Sequence, residues 1–309
     1  MEAQSWTFDP QIDPHAFRAL GFAASSAGIA QRQRQYREGW WAHAERSKAF
    51  ILDAALRVSQ PRLAVVLGAG KAYDLPLAEL AQRFERVVLV DIDAAALAET
   101  SAAAVRDTGL RSRLGLRALD LTGVTARLVR EIEAAMAAAA DAAAAEARYE
   151  NLCRSYRLAT PPRFVEETAD LIVSGLMLTQ LALPAKLLAK RLFEGRFGPV
   201  PRESEPRWVA AWDGLDLRMQ QDHIDALARQ ATLAVLTSEV LHQVTTLDSR
   251  GNERPTGESW SLIGADSLAA RLPSGVEVLA QTTWPWPRLR PSARDLGARM
   301  QVGAVFWRA

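Results

Sequence analysis

Short apolar runs alternate with amphipathic stretches along most of this chain. Leu63–Leu67 (LAVVL) is uninterruptedly apolar and rich in β-branched residues, as expected of a strand covered on both faces. Leu75, Leu77, Leu80, Ala81 and Phe84 then recur at helical spacing, so this segment predicts a helix lying on the sheet. Val87–Val90 reads as a second buried strand, closed by Asp91 and Asp93. Leu97–Val105 predicts a helix, and Arg113–Leu121 a third strand ending at Asp120. Asp170–Leu178 predicts a fourth strand and Ala231–Ser238 a fifth. Two more strands are expected in the tail, one from Gly275 and one over Val302–Trp307. The alternation predicts an α/β fold with a seven-stranded, mostly parallel sheet and helices on both faces.

The segment before the first strand, Met1–Ser59, reads as helical. Ile29–Arg37 is polar, and Trp40, Trp41, Ala44, Lys48, Ile51, Leu52 and Ala55 mark one or two amphipathic helices. This divides the chain into an N-terminal helical cap (1–60) and a larger unit (61–309) with insertions at about 124–160 and 184–215. Val124–Leu158 reads as one long Ala-rich helix, since Ala has the highest helix propensity. Pro161-Pro162 ends it. Leu181–Phe193 and Trp208–Arg229 read as helices. Glu194–Arg207, rich in Gly, Pro and charge, reads as a loop suited to a lid or substrate wall, and the polar tract Ser249–Ser259 as another loop.

Composition narrows the function classes. Of 309 residues 49% are hydrophobic, enough for a sizeable core, and the net charge of +1 does not indicate a non-specific nucleic-acid surface. One cysteine, Cys153, excludes an internal disulfide and a cysteine-rich metal site. The four histidines show no ligand-pair spacing, so no metal is expected. No apolar run reaches transmembrane length and the acidic start does not read as a signal peptide, which points to a cytoplasmic protein. The high Ala and Arg content is of the kind associated with GC-rich bacterial genomes. The Ala-rich helix offers a packing surface on which a homo-oligomer is possible.

The chemistry gathers around the first strand. Gly68 and Gly70 follow it at once, and glycine lets a backbone turn sharply and approach a ligand. In open α/β sheets ligands bind beyond the carboxyl ends of the strands, and a carboxylate there, Asp91, is placed to hold a ribose diol. A dinucleotide fingerprint would carry a third glycine where this chain has Tyr73. A bulky Tyr73 and an early Asp74 suit a pyrophosphate poorly. Asp74 better suits a cationic or zwitterionic ligand, by taking an amino group or lying near a sulfonium.

At these residues the chain resembles the class I, Rossmann-like S-adenosylmethionine-dependent methyltransferases. Their first motif is a hydrophobic strand running into a G-x-G turn, and their second is an acid ending the next strand. The acid that often stands two residues before the first glycine is replaced by Val66. The resemblance implies a last strand running antiparallel beside the fifth. It implies a cofactor site formed by Gly68, Ala69, Gly70, Tyr73 and Asp74 at the turn, and by Asp91 and Ile92 at the second strand. Asp120 and Leu121 would face the adenine, and Ser174 and Gly175 would lie against S-adenosylmethionine where the methyl group moves, with S-adenosylhomocysteine as product. Asp120 followed by Thr and Gly is equally good helix-capping chemistry, and both roles stay open. The N/D-P-P-Y motif of amino-group methyltransferases acting on bases is missing after the fourth strand.

The implied activity is methyl transfer to a small-molecule or peptide acceptor. A NAD(P)-dependent oxidoreductase and a non-catalytic cofactor-binding homologue remain as alternatives. Should the acceptor need a base, Tyr36, His43 and His242 are the candidates, with His223 a further histidine on the helix before the fifth strand. His43 has the best expected position, because caps of this kind face the sulfonium.

Overall fold

The computed structural model describes residues 6–8, 12–104, 108–158, 162–201, 205–289, 291 and 296–308. Its elements in chain order begin with β1 (Trp6–Phe8), α1 (Pro14–Ala19), α2 (Phe22–Gln35) and α3 (Arg37–Leu56). Then come β2 (Leu63–Leu67), α4 (Leu77–Arg83), β3 (Arg86–Asp91), α5 (Ala94–Ala104), α6 (Thr108–Arg111) and β4 (Leu114–Ala118). These are followed by α7 (Thr125–Ala137), α8 (Ala142–Ser155), β5 (Ala169–Gly175), α9 (Leu183–Phe197) and α10 (Glu205–Gln230). The chain ends in β6 (Ala231–Leu247), β7 (Glu253–Ser261), β8 (Glu277–Leu289) and β9 (Gly297–Arg308).

The strands form one sheet in the order β1-β4-β3-β2-β5-β6-β9-β8, with β7 paired to β6. From β1 to β6 every pairing along that order is parallel; β9 runs antiparallel between β6 and β8. The α/β class and the antiparallel last strand are as the sequence and the resemblance imply. The strand count is higher than seven: nine strands lie in the sheet among the described residues.

Period-two alternation explains why the central strands read as continuous apolar runs. In β2, Leu63, Val65 and Leu67 pack into the core on one face of the sheet, while Ala64 and Val66 pack into the core on the other. A third, smaller core is aromatic. It joins Trp40 of α3 to Trp284 and Trp286 of β8 and to Met300 and Val302 of β9. Trp40 is therefore the core anchor of its pair, and Trp41 is 61% exposed.

Four sequence expectations are corrected. The helix read over Val124–Leu158 is two helices: Asp141 turns its side chain to the Ala144 N–H at 2.8 Å and caps α8, a stronger local preference than the propensity of the flanking alanines. The tract Ser249–Ser259 is not simply a loop. β6 runs on for 17 residues, its outer end needs backbone partners, and β7 supplies them through a turn at Asp248–Gly251. β7 was illegible because most of its side chains are exposed, so it carries no apolar alternation. The segment read as all-helical before the first strand also contains β1, hydrogen-bonded to β4. The loop read over Glu194–Arg207 is shorter, since α9 continues to Phe197 and α10 starts at Glu205. Residues 202–204 and Pro161 lie outside the described residues.

Candidate active site

The site is built where β2, β3 and β5 end. The Gly68 and Ala69 N–H groups both donate to the Val90 carbonyl, at 2.9 and 3.2 Å, folding the turn back onto β3. Gly68 and Gly70 have φ of 66° and 36°, the left-handed region in which a Cβ is strained. The Gly70 N–H donates to Oδ2 of Asp91 at 2.9 Å, and the Asp93 N–H to Oδ1 of Asp91 at 2.9 Å. Burial pushes the Asp91 carboxyl up to about 6, against these two bonds, which favour the charged form. Each oxygen keeps a lone pair, so the carboxylate can still accept from a diol.

The neighbouring acids are committed to the fold. Asp93 accepts from the Ala96 N–H at 3.1 Å, capping α5, and from the Ser26 hydroxyl at 2.8 Å. That second bond ties α2 to the end of β3. Asp120 accepts from the Thr122 N–H (2.9 Å) and hydroxyl (2.7 Å) through Oδ1 and from the Thr125 N–H (2.8 Å) through Oδ2. The capping role of Asp120 is thus present in full. Asp120 also lines an apolar pocket with Asp91, Ile92 and Leu121, roofed by Leu20 and Phe22 and bounded by Met177.

Ser174 is fully buried, and its hydroxyl pairs with Nε2 of His223 on α10 at 2.9 Å. Burial pushes the His223 imidazole down to about 4, so the ring is neutral. Gly175 packs close to Leu75: a Cβ there would stand 3.1 Å from its side chain.

Asp74 lies next to the aromatic core. His43, 1% exposed, stacks on Trp286 with ring centres 4.3 Å apart, and its Nδ1 lies 3.0 Å from the Trp284 indole N–H. An indole nitrogen only donates, so Nδ1 accepts and the neutral ring carries its proton on Nε2. That Nε2 faces Oδ2 of Asp74 at 3.7 Å, beyond hydrogen-bond length, and both atoms are buried without a hydrogen-bond partner. Tyr73 meets Trp40 edge-on at 6.2 Å, and Tyr36 packs against the same aromatic core.

His242 lies elsewhere, on β6, stacked on Trp260 at 4.1 Å. Its Nδ1 is buried without a partner, and burial, then the nearby Arg288, hold its pKa below the ordinary value. Sequence reasoning missed Ser26, Met177, Trp284 and Trp286. Ser26 and the two tryptophans act across long sequence separations, and no local pattern marks them.

No family model matches the chain, and no curated protein matches it. Among solved structures it is similar to the N-methyltransferase NodS from Bradyrhizobium japonicum WM9, at 13% identity and a TM-score of 0.41, over 85% of this chain and 94% of that one. It is similar to the glycopeptide N-methyltransferase MtfA complexed with S-adenosyl-L-methionine, at 12% identity and a TM-score of 0.38, over 83% of this chain and 86% of that one. TehB from Haemophilus influenzae gives 11% identity and a TM-score of 0.39, over 84% of this chain and 60% of that one. The strand order and the antiparallel direction of β9 make this a Rossmann-like α/β fold.

Proposed function

We propose that the chain is an S-adenosylmethionine-dependent methyltransferase acting on a small-molecule or peptide acceptor. The observation that carries this reading is the buried, unpartnered Oδ2 of Asp74, just past a glycine turn whose Gly70 N–H holds Asp91. A buried carboxylate oxygen without a donor is costly unless a ligand supplies one. A zwitterionic nucleoside answers both acids, with an ammonium for Asp74 and a ribose diol for Asp91. Gly68 and Gly70 add no side chain of their own to the turn, Met177 lies over Gly68, and the pocket along Ile92 and Leu121 suits a flat base.

S-adenosylmethionine, when bound, would supply a methyl group on a sulfonium, and the transfer is an in-line displacement. The chain's task is then to position the acceptor and exclude water. Asp91 holds the ribose and Asp74 the amino group. His43, locked by Trp284, turns its Nε2 toward Oδ2 of Asp74 at 3.7 Å and borders the place where the amino group would sit. His242, neutral and with a free Nδ1, takes the proton where the acceptor is a hydroxyl or carbon acid. Tyr36 borders the acceptor space from the N-terminal helices, which act as a cap. Calorimetric titration with S-adenosylmethionine and S-adenosylhomocysteine tests the reading, with NADH as the control. Binding of both adenosyl ligands is expected. No heat at millimolar ligand overturns it, and binding of NADH alone replaces it with the oxidoreductase reading.

A further inference from the structure

Beyond the donor site, the middle of β6 and the turn after β5 carry a second cluster of polar and charged groups. Glu239 on β6 is 3% exposed: Oε1 accepts from Arg288 at 2.6 Å and Oε2 from the Thr179 hydroxyl at 2.6 Å. Arg288 reaches in from β8 and lies over the ring of Trp286 at 5.4 Å. Arg32 lies on α2 between Ile29 and Tyr36, one turn from each, and both of these pack against the aromatic core whose Trp286 Arg288 covers; Arg288 and Glu239 both act on its charge. Arg32 has a buried Nε with no hydrogen-bond partner, and no carboxylate among the described residues forms an ion pair with it. The buried Nδ1 of His242 is likewise free.

The cluster therefore sets two guanidinium groups against one carboxylate, each of whose oxygens already accepts one bond. A partly buried guanidinium left unpaired is unfavourable, and its planar fork matches a carboxylate in bidentate geometry. We infer that Arg32 and Arg288 form a subsite for a carboxylate carried by the methyl acceptor. The inference rests on the methyltransferase reading for the word acceptor, and on the cluster alone for the word carboxylate. Thr179 and Glu239 fix Arg288, so Glu239 is a positioning residue. His242, beside Arg288, stands where the reacting end of such a molecule would be deprotonated. Trp260, 48% exposed and stacked on His242, offers an apolar wall to a flat acceptor.

Ligand-observed NMR with benzoate and with benzylamine, on the full chain, tests this. Benzoate is expected to bind and benzylamine not. Arg32→Gln should lower the benzoate signal at least fivefold, and Arg288→Gln should do the same. Affinity for S-adenosylhomocysteine, by calorimetry, should stay within twofold in both. Arg32→Gln leaves the Glu239–Arg288 pair intact, so it carries the test even where Arg288→Gln fails to fold. Equal binding of benzylamine, or an unchanged benzoate signal in Arg32→Gln, overturns the inference. So does a parallel loss of S-adenosylhomocysteine affinity, which would give Arg32 to the donor's own carboxylate. Should the native chain bind no adenosyl ligand while benzoate still depends on Arg32, the carboxylate subsite stands and the methyltransferase reading falls.

Discussion

Nε2 of His43 faces Oδ2 of Asp74 across 3.7 Å, and neither atom has another partner. Trp284 holds the other ring nitrogen, so the donor and the acceptor point at each other without closing. A ligand ammonium at Asp74 gains a charge-assisted bond, worth about 1.5–3 kcal/mol when partly buried. Asp74→Ala should weaken S-adenosylhomocysteine binding at least tenfold in calorimetry. The fold should survive, because no hydrogen bond to Asp74 Oδ2 is lost. Unchanged affinity would remove the amino-group role from Asp74.

Asp91 makes a pH prediction. Its carboxyl is raised to about 6 by burial, and a ribose diol needs the ionised form as acceptor. Affinity for S-adenosylhomocysteine should therefore fall as pH drops from 7 to 5, with a midpoint near the raised value. Stability responds in the opposite sense. A carboxyl raised on folding favours the folded chain at low pH, and that contribution is lost as pH rises through about 6. Asp91→Asn should flatten both profiles. A pH-independent affinity in the native chain argues against the diol role.

The parallel strands were legible because both of their faces are buried. β2 is apolar throughout and β3 and β5 have apolar centres (Val87–Val90 and Leu171–Val173), so their positions could be read within a residue or two. The glycine turn and Asp91 were legible for the same reason, since they abut those strands. What escaped acts over distance. The partners His43 and Trp284 are separated by 241 positions, and Trp284 sits in a strand whose exposed residues and prolines hide its pattern. β7 escaped because most of its side chains are exposed, so no apolar alternation marks the strand that pairs with β6. Asp141 was visible in the sequence, but a cap inside an alanine run is revealed only once its side chain is seen on the Ala144 N–H.

Gly68 and Met177 define a steric limit. A Cβ at Gly68 would stand 2.1 Å from Sδ of Met177, in a backbone with φ of 66°. Met177 is flexible and can withdraw; the backbone cannot, and a left-handed alanine costs about 1–2 kcal/mol. Gly68→Ala should lower stability by that amount in urea denaturation and weaken adenosyl binding by more than tenfold. Gly70→Ala carries the same kind of left-handed backbone strain (φ 36°) but meets only ordinary contacts, the nearest at 3.6 Å from Asp91, so it should be milder only by the cost of displacing Met177. Equal effects at the two glycines would show that the Met177 contact is irrelevant.

His223 should make the fold sensitive to acid. Its imidazole, paired through Nε2 with the Ser174 hydroxyl, is pushed by burial from 6.5 down to about 4. Between those values the unfolded chain binds a proton that the folded chain does not, so stability falls as pH drops through that window. The loss between pH 7 and pH 5 is roughly 2 kcal/mol from this group alone. Asp91 opposes it over part of the same range, so the two are separated by substitution. Glutamine at position 223 can keep a hydrogen bond to Ser174 and does not titrate. In urea denaturation, His223→Gln should be less stable than the native chain at pH 7 and lose less stability on going to pH 5. If both proteins lose the same amount, the buried imidazole takes up its proton at the same pH folded and unfolded, and the Ser174 hydroxyl accepts from it.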